Sequence, residues 1–210
     1  MLLFVGLGNP GPEYAGNRHN FGFMAVDAII GRFGLSRPRR RQRPGGVFSD
    51  GMIDGVKVLV LKPGTYMNES GRTVGAAMRY YDLEPEDITV FHDDIDLAPG
   101  KMRVKAGGGH GGHNGLRDID AHIGRDYRRV RLGVGHPGNP DRVEGYVLKD
   151  FTKSDRDWLE RMIDAVADAV PLLVAGDAPG YMTRVALLAP VPGEATPEDE
   201  APGKGAPDGG

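Results

Sequence analysis

Two apolar patterns alternate along this chain, and the alternation limits what it can fold into. Short apolar runs closed by Gly, Pro, Asn or Asp read as buried strands entering turns, and stripes at helical spacing read as amphipathic helices. Leu2 to Leu7 runs into Gly8-Asn9-Pro10-Gly11-Pro12 and predicts a strand followed by a tight loop. Phe21, Ala25, Ala28 and Ile29 then mark a helix that stops near Gly34. Val47 to Ile53 and Val56 to Leu61 flank Asp54-Gly55, a short-hairpin signature. Val74, Ala77, Met78 and Tyr81 stripe a second helix, and Ile88 to Phe91 is a strand running into His92-Asp93-Asp94. Met102 to Lys105 predicts another strand, Leu116, Ile119 and Ile123 a third helix, and Val130 to Val134 a further strand. Trp158, Met162, Ala165, Val166 and Ala169 stripe a longer helix, with Ser154 at its start and Pro171 disturbing it. The predicted fold is α/β: a single domain, about 1–188, with a central mixed twisted β-sheet and helices on both faces.

Glycine and proline, 33 and 16 of 210 residues, stand at nearly twice their usual combined share of roughly 12%. Part of that excess lies in residues 189–210, an acidic Gly/Pro-rich tail without periodicity that is expected to be disordered. The tail distorts the net charge of −3. It holds Glu194, Glu198, Asp199, Glu200 and Asp208 against Lys204 alone, so the rest of the chain is mildly basic. Two arginine clusters carry that excess: Arg37, Arg39, Arg40, Arg41 and Arg43 in a basic loop from Ser36 to Gly46, and Arg125, Arg128, Arg129 and Arg131. They are either solvated faces or contacts for a polyanion. The absence of cysteine excludes disulfides, thiol catalysis and thiolate metal sites. No apolar run reaches the ~18–20 residues of a membrane span, and Met1 to Val5 lacks the basic start of a secretory leader.

Four polar groups sit beside predicted strands, where α/β proteins bind ligands. The first joins Asn9 with His19. Gly6-x-Gly8-x-x-Gly11 formally matches a dinucleotide fingerprint, but Pro10 and Pro12 intervene where the helix should open. Asn9 could equally be a turn residue. The second group is Thr65 to Gly71, where Asn68 or Ser70 could cap a helix or Asn68 could meet a substrate amide. The third is His92-Asp93-Asp94-x-Asp96. It could contribute to a metal site with His110 and His113, although the spacing fits no strong metal motif. A carboxylate there could instead orient an imidazole, with His19 the candidate if the fold brings the strands Leu2 to Leu7 and Ile88 to Phe91 together. The fourth is Gly107 to Gly115, with six glycines in nine residues ahead of a helix beginning near Asn114. It is either a flexible loop or a surface where backbone N–H groups approach a substrate. No Gly-x-Ser-x-Gly nucleophile motif occurs. These groups leave a hydrolase or a binder of a polar, amide-containing ligand.

The ordered set of motifs is specific even though each is weak alone. Gly6-Leu7-Gly8-Asn9-Pro10-Gly11, Glu13-Tyr14, Arg18-His19-Asn20 and Lys62-Pro63-x-Thr65-Tyr66-Met67-Asn68-x-Ser70-Gly71 come first. His92-Asp93-Asp94-x-Asp96-Leu97, Gly107 to Leu116 and Arg131 to Pro137 follow. Together they resemble bacterial-type peptidyl-tRNA hydrolase over roughly Leu2 to Leu188. The resemblance implies a monomeric, cytoplasmic, metal-free α/β hydrolase without cofactor. It would cleave the ester between peptide and tRNA, acting at the acceptor stem and 3′ end, and return tRNA to translation after ribosome stalling.

By the same resemblance, His19 is the general base that activates water and Asp93 keeps it basic. Asn9 reads the blocked amino group of the substrate. Asn68 and Asn114 hold its peptidyl and terminal-adenosine end, and Tyr14 and Tyr66 line that site. Lys105 and Arg131 clamp tRNA phosphate, and His113 neighbours the catalytic pair. Three alternatives remain beside this reading. Plant organelle splicing factors resemble the same family yet bind RNA without catalysis. A metal-dependent hydrolase would use His92, Asp93, Asp94 and His110, and a nucleotide-dependent oxidoreductase would use the glycines of the first loop.

Overall fold

Strand β1 (Leu2–Gly6) lies at the centre of the fold, hydrogen-bonded in parallel to β4 (Val56–Lys62) on one side and β5 (Ile88–Asp94) on the other. A computed structural model describes residues 1–193. The seven-stranded sheet has the order β2-β3-β4-β1-β5-β7-β6, where β2 is Arg39–Arg41, β3 Gly46–Ile53, β6 Met102–Ala106 and β7 Arg128–Gly133. The inner strands β4, β1, β5 and β7 run parallel, whereas β2, β3 and β6 join by antiparallel pairing. The sheet is therefore mixed, as the sequence predicts.

Alternation along β1 divides the core between two layers. Phe4 faces α1 (Phe21–Arg32), α5 (Arg156–Val174) and α6 (Ala178–Leu188), and packs with Phe21, Phe91 and Met162. Leu3, Val5 and Leu7 face α2 (Ser70–Tyr80) and α3 (Asn114–Ile123), and pack with Val74 and Ile119. Leu3, Phe4 and Val5 are fully buried, and each such side chain contributes about 1.5–3 kcal/mol of transfer free energy.

The position of α1 matters most for function. Leu7 donates its backbone N–H to Phe91 O at 3.0 Å, and Phe23 donates to Leu7 O at 3.1 Å. Gly22 lies so close to these strands that a Cβ there would sit 2.2 Å from Phe91 O. Only glycine permits that approach. It sets the start of α1 over the carboxyl ends of β1 and β5, where α/β sheets form their crevices.

Several local expectations need correction. The basic segment Ser36 to Gly46 contains strand β2, because Arg39–Arg41 pair with Gly46–Phe48 at the sheet edge. The strand at Ile88 continues through Asp94, so His92 and Asp93 lie within it. The long helix starts at Arg156 behind a capping box of Thr152 and Asp155, not at Ser154. Pro171 is accommodated within that helix, which runs on to Val174. Helices α4 (Val143–Val147) and α6 carried no signal that was read from sequence. The hairpin turn is as predicted, with Asp54 and Gly55 both at positive φ. The acidic tail expected to be disordered lies, from residue 194 on, outside the described residues.

Candidate active site

His19 enters the site from a single helical turn, Arg18–Asn20, that leads directly into α1. Its Nδ1 lies 2.9 and 3.0 Å from the two carboxylate oxygens of Asp93, at the end of β5. Both side chains are buried. Asp93 also accepts a hydrogen bond from His113 Nε2 at 3.0 Å. His113 caps α3, because its Nδ1 accepts the backbone N–H groups of Gly115 and Leu116 at 3.1 and 3.3 Å. A nitrogen that accepts carries no proton, so Nε2 bears it and donates it to Asp93.

These contacts fix the electrostatics. Burial alone would raise the Asp93 pKa, but the charges of His19 and His113 and their hydrogen bonds hold it well below the usual carboxylate range. Burial alone would lower the His19 pKa. The adjacent Asp93 charge and hydrogen bond more than offset this, leaving it above its ordinary value. His92 behaves oppositely. Burial and the neighbouring His113 lower its pKa to about 3. Its Nδ1 donates to Asp93 O at 2.7 Å, and its buried Nε2 has no protein partner among the described residues.

A second network holds Asn9. The side chain of Asn20 accepts the Asn9 backbone N–H at 2.9 Å and donates to its carbonyl at 3.0 Å. Asn9 Oδ1 in turn accepts the N–H of Met67 at 2.8 Å. The Asn9 Nδ2 group is therefore the only part of that amide left without a partner among the described residues. Met67 precedes Asn68, so the same bond ties the loop after β1 to the loop carrying Asn68. Neither Asn68 nor Ser70 caps α2 through its side chain; Ser70 instead donates to Met67 O at 2.8 Å.

His19, Asp93 and Asn9 open onto a cavity of about 1010 Å³ that Tyr66, Asn68, Asn114, Lys105 and Arg131 also line. His113 lines it too, and Val143, Val147 and Leu148 on and after α4 contribute an apolar part of its wall. Asn68, Asn114 and Lys105 are exposed. Arg131 is held by Asp94, whose Oδ2 accepts from Nε at 2.6 Å. Tyr14 is not in the wall. It packs edge-to-face behind Tyr66, with ring centroids 6.4 Å apart.

The glycine-rich segment forms part of the same wall through Gly109 to Gly112. Gly107, Gly108, Gly111 and Gly112 all have positive φ, a conformation few other residues adopt. Arg129 anchors this loop by donating to Gly109 O at 2.7 Å and to Asp120 at 2.9 Å. It is 2% exposed, so the second arginine cluster is not a uniformly solvated face. Arg129 and Arg131 lie two positions apart on one face of β7, and the loop that covers Arg129 leaves Arg131 at the open cavity.

The metal set His92, Asp93, Asp94 and His110 does not converge. His92 is tied to the backbone, Asp94 to Arg131, and His110 Nδ1 to Gly112 N–H at 3.0 Å. Among the described residues, His19, Asp93 and His113 are the one group close enough to share a metal ion. With its protons arranged as above, His113 Nε2 offers Asp93 a donor, and its Nδ1 lone pair is already taken by the N–H groups of Gly115 and Leu116.

Sequence reasoning missed Asn20, Met67 and Arg18 as parts of the site's support. Arg18 donates to Asp150 O at 2.8 Å and to Asp155 at 3.1 Å, pinning the turn that bears His19 to the segment after α4. Arg18 and Asn20 flank His19 within the motif Arg18-His19-Asn20, and that adjacency was the available signal.

An imidazole oriented by a carboxylate and facing a large cavity, over the carboxyl ends of the parallel inner strands, fits an α/β enzyme of the hydrolytic type. A model of the family described as peptidyl-tRNA hydrolase matches residues 3–191. The peptidyl-tRNA hydrolase of Parvibaculum lavamentivorans is 58% identical over 89% of this chain and 91% of its own length. That of Dinoroseobacter shibae is 53% identical over 97% of this chain and 87% of its own. The crystal structure of peptidyl-tRNA hydrolase from Acinetobacter baumannii superposes with a TM-score of 0.84 at 43% identity, covering 88% of this chain and 94% of that one. This chain belongs to the peptidyl-tRNA hydrolase family. No helix among the described residues is long and apolar enough to cross a membrane.

Proposed function

We propose that this protein hydrolyses the ester between peptide and tRNA in N-blocked peptidyl-tRNA, with His19 as general base. The observation that carries the reading is the bidentate approach of His19 Nδ1 to Asp93, at 2.9 and 3.0 Å, beside a cavity large enough for a polar substrate. Asp93 takes the Nδ1 proton as a hydrogen bond and leaves Nε2 to accept one from water. The resulting hydroxide attacks the ester carbonyl, and the imidazolium returns its proton to the departing 3′ oxygen of the ribose. General base catalysis of this kind typically contributes ~10²–10⁴-fold.

Asn9, Asn68 and Asn114 bind the substrate near the ester. The Nδ2 group of Asn9 is a donor and suits an acyl oxygen. A blocked amino group carries such an oxygen. A free aminoacyl ester presents an ammonium instead, which leaves the donor unpaired and a charge to desolvate. Tyr66, with Tyr14 behind it, flanks the acyl end. Lys105 and Arg131 contact phosphate at the acceptor stem and 3′ end, which gives affinity without sequence readout. The protein acts as a cytoplasmic monomer and needs neither metal nor cofactor. The non-catalytic RNA-binding alternative gains no support, since the relatives named above are hydrolases by name.

The test compares N-acetyl-aminoacyl-tRNA with unblocked aminoacyl-tRNA, in EDTA, for the wild type and His19→Ala. Cleavage of the blocked ester alone, lost in the variant, is the expected result. Wild-type protein that binds tRNA without cleaving the ester would overturn the proposal.

A further inference from the structure

The catalytic reading leaves the first arginine cluster unused. Five arginines and no acidic residue occupy Ser36 to Gly46. Strand β2 within it is the last strand of the sheet, bonded to β3 on one side only. Arg37, Arg39, Arg40 and Arg43 are exposed, and none of their side chains meets a carboxylate among the described residues. Charge on an edge strand often does no more than block pairing with another chain, and two features here go beyond that.

The first is an aromatic surface beside the arginines. Arg39 and Arg41 share a face of β2, since they pair with Phe48 and Gly46 two positions apart on β3. On that face the Arg41 guanidinium lies 5.1 Å from the centre of the Phe48 ring and donates to Tyr81 Oη. Tyr81 packs edge-to-face with Tyr80 at 4.8 Å, and Tyr80 is 66% exposed. A fixed guanidinium, free guanidinium groups and an open tyrosine ring form the combination that binds a ribose-phosphate backbone and stacks a base.

The second feature is continuity with the site. Arg40 points to the opposite face of β2 and lines a second cavity of about 320 Å³ together with Asn9, Asn20 and the Lys62–Asp27 ion pair. Asn9 borders both cavities. The arginine edge thus adjoins the catalytic crevice on the side away from Lys105 and Arg131. Six strand spacings at ~4.8 Å separate β2 from β6, about 29 Å, so the two basic edges meet different stretches of polyanion.

We infer that β2 and Tyr80 form a second RNA-binding surface, one that takes the phosphodiester backbone and an unpaired base. The inference rests on the RNA substrate of the proposed function but not on the roles given to His19 or Asp93. The RNA it takes is the substrate tRNA, at a part away from its 3′ end, because Asn9 joins this edge to the catalytic crevice.

The test uses the full chain with Arg37, Arg39 and Arg43 changed together to glutamine, alongside Tyr80→Ala. Binding is measured against deacylated tRNA and an unrelated single-stranded RNA over a range of salt. Hydrolysis of N-acetyl-aminoacyl-tRNA is compared with that of the same ester on a CCA trinucleotide. The slope of log K against log salt should fall by roughly 2 in the triple variant, at ~0.7–0.9 per phosphate contact. Tyr80→Ala should weaken single-stranded RNA without changing that slope. Trinucleotide hydrolysis should stay at the wild-type rate, which separates this surface from the catalytic reading. Loss confined to tRNA identifies the substrate as the ligand, and equal loss with both RNAs identifies a general RNA surface. Unchanged affinity and slope for both RNAs would overturn the inference. If the triple variant does not fold, Tyr80→Ala decides by the same binding measurement.

Discussion

Asn9 accepts the backbone N–H of Met67 through its side-chain oxygen at 2.8 Å, and this one bond decides what Asn9 can offer a substrate. Its carbonyl is spent on holding two loops together, so only Nδ2–H remains. Asn9→Asp preserves an acceptor for Met67 but removes the donor. We expect kcat/KM for N-acetyl-aminoacyl-tRNA to fall roughly 10–10²-fold, the effect of leaving the acyl oxygen of the blocked amino group without its donor, at about 1–3 kcal/mol. Asn9→Ala should show the same kinetic loss plus about 1 kcal/mol of destabilisation from the broken loop contact. Steady-state kinetics beside thermal melts separate the two, and full activity in Asn9→Asp would exclude Nδ2 as a substrate donor.

The raised pKa of His19 sets the acid limb of activity. Below that pKa the ring carries a proton and cannot accept another from water. Activity should therefore fall as pH drops through a midpoint above ~6.5, the ordinary histidine value. In Asp93→Asn the charge that raises the pKa is gone while burial remains. The acid midpoint should then move below the wild-type one, and the rate at neutral pH should drop roughly 10²–10⁴-fold. A pH profile of kcat/KM for both proteins checks this, and an unmoved midpoint would count against His19 as the titrating base.

His113 positions Asp93 and does not touch the ester in the proposed reaction. His113→Ala removes a donor to a buried carboxylate, worth about 1.5–3 kcal/mol, and the cap of α3, worth about 1 kcal/mol. Activity should fall by roughly tenfold or more, at 1.36 kcal/mol per decade, with a lower Tm. His113→Gln keeps an N–H for Asp93 and should recover part of the activity. Equal activity in the alanine and glutamine variants would show that the hydrogen bond to Asp93 is not what matters.

Metal removal gives an independent check. The donor set that could hold a metal is already joined by hydrogen bonds to Asp93. Dialysis against EDTA should leave the hydrolysis rate and the Tm unchanged. Loss of activity that Zn²⁺ or Mg²⁺ restores would move the mechanism to the His19, Asp93 and His113 group as a metal site.

Gly22 tests whether the docking of α1 sets the site. A Cβ there meets Phe91 O at 2.2 Å and the backbone of Leu7 at 2.5 Å. Gly22→Ala should cost about 1–3 kcal/mol, lowering Tm by roughly 2–4 °C per kcal/mol. Activity should fall further than stability alone explains, because the displaced helix carries His19 away from Asp93. A destabilised variant with wild-type kcat would show that the pair tolerates the shift.

The residues of Leu2 to Leu7, Val56 to Leu61 and Ile88 to Phe91 declare their strands by themselves, because an apolar run closed by turn residues is a local signal. The stripes at Val74 and Trp158 declare their helices for the same reason, and Asp54-Gly55 declares its turn. The sequence also determined which residues were available for chemistry, through Asn9, His19, Asn68, Asp93 and Asn114 in their motifs. It did not determine that His19 and Asp93 meet. They stand 74 positions apart, and only the parallel pairing of β1 with β5 and the close seat of Gly22 bring them together. Tertiary structure likewise decided that Arg129 is buried while Arg131 faces the cavity. The two arginines share a face of β7, and a local charge run does not reveal which of them the loop Gly107 to Gly112 will cover. It also decided which atom of Asn9 is free, since the partner that takes the other atom lies in a loop 58 residues away. Periodicity records burial within one element, whereas a site is made by contacts between elements, and those depend on packing that no local pattern specifies.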